Sequence, residues 1–257
     1  MDWSAAYDNA GFIPEAAGYL TRWPTEAAAF RAEAAGRLDL PYGAGPREAF
    51  DLFTPEGTPE GLVIFVHGGY WRRFDRTDWS HFAAGPLTRG WAVAMPSYPL
   101  CPDVTIPEIT DCIRRAVEAA AAEIPGPIRL TGHSAGGHLV ARMPAAELAP
   151  EALSRVERIL PISPVSDLRP LLQIDLVETL RLTPESAEAE SPRLAPAPDI
   201  PVDVWVGAEE RPVFLDQARW LAEAWGAAHH VATGRHHFDV IDDLRDPESP
   251  MVAALLA

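Results

Sequence analysis

Positive charge is scarce in this chain of 257 residues, which has 21 basic against 37 acidic side chains and a formal net charge of −16. Binding to a polyanion requires clustered basic side chains that neutralise phosphate groups, and the sequence has no such cluster. Nucleic acid and anionic membrane surfaces are therefore not expected as partners.

Long apolar runs and cysteines are also lacking. No stretch approaches the ~18 apolar residues of a membrane helix, and the opening residues show no basic region followed by an apolar segment. Two cysteines, Cys101 and Cys112, allow at most one bridge and so cannot form a disulfide framework. We expect both thiols to be reduced and packed, in a soluble cytoplasmic protein.

What is present is the composition of a folded protein. Hydrophobic residues at 47% and charged residues at 23% are globular values, which argue against a disordered chain. The length suits one α/β domain, and there is no internal repeat, low-complexity tract or linker. We therefore predict a single domain over residues 1–257, in which residues 1–40 form a helical extension.

Apolar periodicity predicts alternating strands and helices. Continuous or alternating apolar residues are typical of strands, and apolar positions at helical spacing predict a helix over 106–123. A helix-rich insertion at 168–198 is either a cap over a pocket or a surface helix pair. The pattern favours a mostly parallel central sheet with helices on both faces. The predicted strands cover 49–53, 62–66, 91–95, 158–162, 202–206 and 229–232, with a short apolar strand before residue 132 and a closing helix over 252–256.

A Gly-x-Ser-x-Gly pattern places Ser134 between an apolar run and a helix-like segment. A serine on a sharp strand-to-helix turn needs small residues two positions away on each side, and Gly132 and Gly136 meet that need. Ser134 is therefore predicted to be a nucleophile. The alternative is a glycine-rich turn whose serine only caps a helix.

A second glycine pair follows the strand at 62–66, about 65 residues before the serine. His67 is followed by Gly68 and Gly69, whose lack of side chains lets backbone NH groups approach a substrate oxygen. Together with the NH of Ala135, they are predicted to form an oxyanion hole. The alternative is a tight turn that carries two aromatic residues.

A serine nucleophile needs an orienting acid and a base, which follow it in the order Ser, acid, His in folds of this kind. Glu209 and Glu210 follow the strand at 202–206, and Asp167 is a rival acid that could instead cap a helix. His236 and His237 follow the last strand. Each pair leaves two choices, because neighbouring loop residues point in different directions. The alternatives without a catalytic role are a solvated glutamate pair and a surface histidine pair. No metal is expected, because no Cys or His-x-x-x-His pattern lies nearby.

Taken together, these features predict an α/β-hydrolase fold, and several stretches carry a closer likeness. The chain resembles the kynurenine formamidase (arylformamidase) branch of the α/β-hydrolases between about residues 42 and 240. The Gly-x-Ser-x-Gly stretch is common to many esterases, whereas the stretches His67–Trp71, Leu100–Pro102 and Asp167–Leu171 are more discriminating. The matching stretches are His67–Trp71, Tyr98–Ile109, Gly132–Leu139, Ser166–Leu171, Pro212–Gln217 and His237–Asp239.

The resemblance implies a nucleophile at Ser134, a base at His237 and an acid at Glu210, where the family usually has Asp. It implies cleavage of N-formyl-L-kynurenine to L-kynurenine and formate without a cofactor. Tyr70, Trp71 and Tyr98 would stack on the aryl ring, or else serve as core aromatics.

Two other functions fit the same residues: a carboxylesterase acting on short-chain or aryl esters, and a catalytically silent hydrolase fold that serves as a binding module. The expected partner is a small-molecule substrate, and a homodimer is the assembly considered.

Overall fold

In the computed structural model, which describes residues 2–257, eight strands form one sheet in the order β1-β2-β4-β3-β5-β6-β7-β8. β1 pairs antiparallel with β2 and β2 antiparallel with β4, whereas the other neighbours are parallel. The mostly parallel sheet predicted from the sequence is confirmed. The strands are β1 Gly36–Pro41, β2 Ala49–Phe53, β3 Leu62–Val66, β4 Ala92–Pro96, β5 Ile128–His133, β6 Val156–Ile162, β7 Asp203–Gly207 and β8 Ala228–Ala232.

Helices cover both faces of the sheet. Successive side chains of a strand point to opposite faces, and β3 shows this directly: Leu62 and Ile64 join one core cluster, whereas Val63 and Phe65 join the other. β3 is therefore buried on both sides, as its unbroken apolar sequence predicts. The helices are α1 Trp3–Tyr7, α2 Asn9–Phe12, α3 Ala16–Glu33, α4 Ala84–Thr88, α5 Ile106–Glu123, α6 Ala135–Arg142, α7 Pro150–Leu153, α8 Val177–Leu180, α9 Pro184–Ala189, α10 Pro212–Trp225 and α11 Pro250–Leu256.

The N-terminal region departs from prediction in two respects. Residues 36–41 form the edge strand β1, which was predicted as part of a helical extension; most of its residues are exposed, and its apolar alternation extends only from Arg37 to Leu40. β2 alternates apolar and polar residues, a pattern typical of a half-buried strand, yet four of its five residues are buried. The reason is α3, which lies over this end of the sheet and packs Phe30 against Phe53 at 5.2 Å between ring centroids.

The N-terminal helices also contact residues far along the chain. The backbone NH of Asp175, in the 168–198 insertion, donates to the hydroxyl of Ser4 at 2.9 Å. Nε of Arg211 donates to the carbonyl of Ala6 at 2.8 Å. The extension and the insertion therefore meet near the start of α10.

Both cysteines are free and buried, as predicted. Burial raises the pKa of Cys101 to about 11 and that of Cys112 to about 12, so both remain protonated thiols at neutral pH. No helix within residues 2–257 combines the length and the apolar character needed to cross a membrane.

Candidate active site

Ser134 lies on the sharp turn between β5 and α6, with φ 56° and ψ −114°. A non-glycine residue at positive φ is strained, and such strain concentrates at functional sites. Gly136 permits the turn, because a Cβ there would overlap the carbonyl oxygen of Val66 on the neighbouring strand. The Ser134 NH donates to the carbonyl of Ile162 at 2.8 Å, which ties the turn to β6.

A buried histidine–glutamate pair completes the polar part of the site. Nδ1 of His237 lies 2.6 Å from Oε2 of Glu210. The other oxygen of Glu210 accepts from the NH of Gly207 at 2.9 Å and from the hydroxyl of Ser163. Because the carboxylate can only accept, the proton lies on Nδ1 and the lone pair of His237 lies on Nε2.

The structure distinguishes the two members of each adjacent pair, Glu209 from Glu210 and His236 from His237. Glu209 is exposed, and its NH donates to the carbonyl of Arg235. His236 faces the N-terminal extension: its Nε2 lies 3.3 Å from the hydroxyl of Tyr19, and its Nδ1 accepts the NH of Phe238. Neither residue takes part in the His237–Glu210 pair.

Asp167, the rival acid, pairs with arginines instead of a histidine. Its carboxylate lies 2.7 Å from Arg169 and 3.2 Å from Arg193. Burial raises the pKa of Asp167, but hydrogen bonds and charge from Arg169, with the charge of Arg193, outweigh burial and leave that pKa below its usual value. The buried carboxylate of Asp167 therefore forms ion pairs with arginines near the two ends of the 168–198 insertion.

The glycine loop after β3 brings backbone donors to the serine. Gly69 lies with Ser134 on the wall of one cavity. Its φ of 110° requires glycine, and a Cβ there would overlap the carbonyl oxygen of Arg73. The NH groups of Gly69 and Ala135 donate to no acceptor within residues 2–257, which leaves them available to a bound oxygen.

The cavity has a volume of about 410 Å³ and is lined by both Ser134 and His237. The N-terminal extension and the 168–198 insertion both contribute to its roof. The N-terminal extension supplies more of the lining residues, and the insertion adds only 174–176. The extension contributes Ser4, Ala5, Tyr7, Asp8, Asn9, Ala10, Leu20 and Trp23; the other aromatic lining residues are Tyr70, Phe74, Trp79 and Phe238.

Only one of the three predicted ring-stacking residues lines this cavity. Tyr70 does so, and its hydroxyl donates to the carbonyl of Tyr7 at 2.6 Å. Trp71 and Tyr98 are fully buried and lie outside the lining. The ring of Tyr98 stacks on His67 at 4.3 Å, so these two are core aromatics, the alternative stated from the sequence.

The aromatic wall supplied by α3 and by the 74–79 segment was not predicted. Trp23 stacks on Trp79 with ring centroids 4.8 Å apart and meets Phe238 edge-on at 5.3 Å. The only feature of the sequence that could have indicated this wall is the aromatic content of residues 3–23. No local pattern connects it with a site more than 100 residues away.

This combination of sheet, serine turn and histidine–carboxylate pair is that of an α/β-hydrolase, and the sequence profile of the alpha/beta hydrolase fold family matches residues 63–240. The chain belongs to that family and is a hydrolase.

Within the family, kynurenine formamidases are similar to it. The enzyme from Drosophila melanogaster is 31% identical over 227 residues, which cover 79% of this chain and 75% of that one. The enzyme from Salmo salar is 28% identical over 238 residues, with 85% and 80% covered. The chain thus falls in the kynurenine formamidase branch, which confirms the predicted resemblance.

Solved structures agree on the fold. A proposed thioesterase from Silicibacter sp. TM1040 is 55% identical, with a TM-score of 0.97 over 100% of both chains. Esterase B from Lactobacillus rhamnosis is 18% identical, with a TM-score of 0.70 over 93% of this chain and 91% of that one. The latter likeness concerns the fold alone.

Proposed function

We propose that Ser134, His237 and Glu210 form a catalytic triad that hydrolyses an aryl formamide, N-formyl-L-kynurenine, to L-kynurenine and formate. The observation that carries this proposal is the 2.6 Å contact of His237 with Glu210, beside a cavity that Ser134 also lines. A histidine held by a carboxylate, on the wall of a cavity that a strained serine also lines, suits nucleophilic acyl transfer.

In the first half-reaction, Nε2 of His237 takes the proton of the Ser134 hydroxyl as Oγ bonds to the formyl carbon. Glu210 stabilises the imidazolium that forms. The carbonyl oxygen becomes an oxyanion and accepts from the NH groups of Ala135 and of Gly69 or Gly68. Each donor of this kind contributes roughly 3 kcal/mol to transition-state stabilisation.

The tetrahedral intermediate then collapses. The bond between the formyl carbon and the aryl nitrogen breaks, and His237 returns its proton to that nitrogen, which releases the aryl amine. A formyl ester remains on Ser134. Water activated by His237 attacks this ester, and formate leaves as Ser134 recovers its proton.

Glutamate at position 210 is compatible with the acid role. The resemblance puts Asp at this position in the family, and Glu extends one methylene further. Here one carboxylate oxygen is fixed by the NH of Gly207 and the hydroxyl of Ser163, while the other reaches His237. The two anchors hold the longer side chain in a single orientation, which supports Glu210 as the orienter.

The substrate class rests on two further observations. The curated relatives from fish and fly are kynurenine formamidases at 28–31% identity. The cavity walls are rich in aromatic side chains, Trp23, Trp79 and Phe238 among them, which suit an aryl ring.

Hydrolysis of esters or thioesters is the second candidate. The 55%-identical protein from Silicibacter sp. is described as a proposed thioesterase, and the same triad attacks either carbonyl. A panel of aryl formamides, aryl esters of increasing acyl length and acyl thioesters separates the two functions. Cleavage of esters or thioesters without formamide cleavage would refute the formamidase proposal.

The direct test is formate release from N-formyl-L-kynurenine by the purified protein. We expect Ser134→Ala to lose nearly all activity, whereas Ser154→Ala, at an exposed position, retains it. A fluorophosphonate probe should label Ser134. A folded protein that takes up no label would favour a silent binding module over an enzyme.

A further inference from the structure

Arg72 stands out among the residues that line the cavity. Its side chain forms no hydrogen bond or ion pair with another described residue, and its Nε is buried without a partner. Two carboxylates, Asp8 and Asp175, line the same cavity, yet neither pairs with Arg72. The cavity therefore contains an uncompensated guanidinium.

This lack of a partner is unusual for the chain. Most of its 21 basic side chains bind a carboxylate or a backbone carbonyl. Within residues 2–257, the arginines whose side chains form neither a hydrogen bond nor an ion pair are Arg72, Arg73 and Arg181. Arg73 and Arg181 are exposed; Arg73 also lines the cavity, but its guanidinium lies over the ring of Phe74 at 5.3 Å. Arg72 is the partly buried member of this set.

The backbone positions Arg72 at some cost. Its NH donates to the carbonyl of Gly69 at 3.1 Å, which closes a tight turn. The two central residues of this turn, Tyr70 and Trp71, have φ of 51° and 54°. Bulky residues are strained there, where Gly or Asn is usual. The strained turn places an arginine and the glycine of the predicted oxyanion hole three residues apart, on one wall of the site.

We propose that Arg72 binds a carboxylate of the substrate, remote from the scissile carbonyl, and that the substrate is therefore an acyl compound that bears a carboxylate. A guanidinium matches a carboxylate in a two-point hydrogen-bonded pair. Because the protein carries a net charge of −16, a substrate carboxylate needs such a local cation. This inference rests on the proposed function, since an N-formyl amino acid of the kynurenine type carries a carboxylate distant from its formyl group.

The test compares N-formyl-L-kynurenine with its carboxamide, using wild type, Arg72→Gln and the control Arg181→Gln. We expect wild type to prefer the carboxylate by about 10- to 100-fold in kcat/KM. Arg72→Gln should abolish this preference, with most of the loss in KM for the carboxylate substrate, and Arg181→Gln should behave as wild type. Equal loss on both substrates, or the same loss in Arg181→Gln, would overturn the assignment.

Two further measurements keep the outcome decisive. If wild type cleaves no formamide, the proposed function fails. The role of Arg72 is then tested by comparing the hydrolysis of an aryl acetate that bears a remote carboxylate with that of the corresponding carboxamide. If Arg72→Gln does not fold, inhibition of wild type by 4-phenylbutyrate is compared with inhibition by 4-phenylbutyramide. A carboxylate that binds at least about tenfold tighter, with affinity that falls as salt rises, supports the proposal; equal binding contradicts it.

Discussion

The imidazole of His133 donates a hydrogen bond from Nε2 to the backbone carbonyl of His237 across 2.8 Å. A carbonyl only accepts, so Nε2 carries the proton. The two rings lie 4.6 Å apart. Burial, and then the charge of His237, lowers the pKa of His133 well below its ordinary value. The residue before the serine thus remains neutral and holds the backbone of the proposed base.

Replacing His133, which also lines the cavity, should therefore disturb the base more than it disturbs substrate binding. The shorter side chain of His133→Asn does not reach the His237 carbonyl, and the loss of one hydrogen bond predicts a fall in kcat of about five- to tenfold. KM should change less than twofold. Steady-state kinetics with His229→Asn as control, an exposed histidine in β8, checks this; an unchanged kcat would show that the contact is incidental.

The neighbouring glutamates provide a matched pair of variants. Glu210→Gln removes the charge that stabilises the His237 imidazolium, and we expect kcat to fall about 10³- to 10⁴-fold. Glu209→Gln, at an exposed position, should stay within twofold of wild type. Formate release by each purified variant is the measurement. Similar losses in both variants would place the acid role elsewhere.

Acid should destabilise the protein before its carboxylates are protonated. Desolvation by burial lowers the pKa of both His67 and His138 to about 4. Their unfolded pKa is ~6.5, so the unfolded state binds more protons between these values, and stability is lost as pH falls from about 6.5 to 4. Thermal melts across this range should show a falling Tm, with a shallower fall in His138→Gln. A Tm that is constant down to pH 4.5 would contradict this.

Trp23 should be important for stability as well as for the cavity wall. It is 1% exposed and stacks on Trp79 at 4.8 Å. Trp23→Ala removes this packing and should reduce the free energy of unfolding by about 3–5 kcal/mol. Phe12→Ala, at a side chain that is 47% exposed, is the control and should cost about 1 kcal/mol or less. Urea titration compares them; equal midpoints would mean that α3 contributes little to the fold.

Local patterns predicted part of this molecule well. β3 and α5 have the predicted bounds, 62–66 and 106–123, because β3 is buried along its whole length and α5 keeps one buried face from its first turn to its last. The Ser134 turn was recognisable because its steric demands fall on residues two positions away, Gly132 and Gly136. These features require only neighbours in sequence.

Features that depend on distant contacts were not predictable. The edge strand β1 is mostly exposed, and its apolar alternation, from Arg37 to Leu40, is too short to distinguish a strand from the end of a helix. The aromatic sequence Tyr70-Trp71 gave no sign that one ring faces the cavity while the other enters the core. The choice between Glu209 and Glu210 depends on the conformation of their loop relative to His237. Because the two residues are identical and adjacent, the sequence does not indicate which side chain points towards the histidine.

The roof over the cavity has a consequence for biosynthesis. Residues 4–23 leave the ribosome early, but their partners include Asp175, Arg211 and Phe238. At a translation rate of roughly 5–20 residues per second, this early segment waits about 10 seconds or more for the surfaces that it covers. During that interval Trp23 lacks its contact with Phe238. The nascent chain must therefore keep an aromatic helix shielded from other chains until the last strand and its histidine loop emerge.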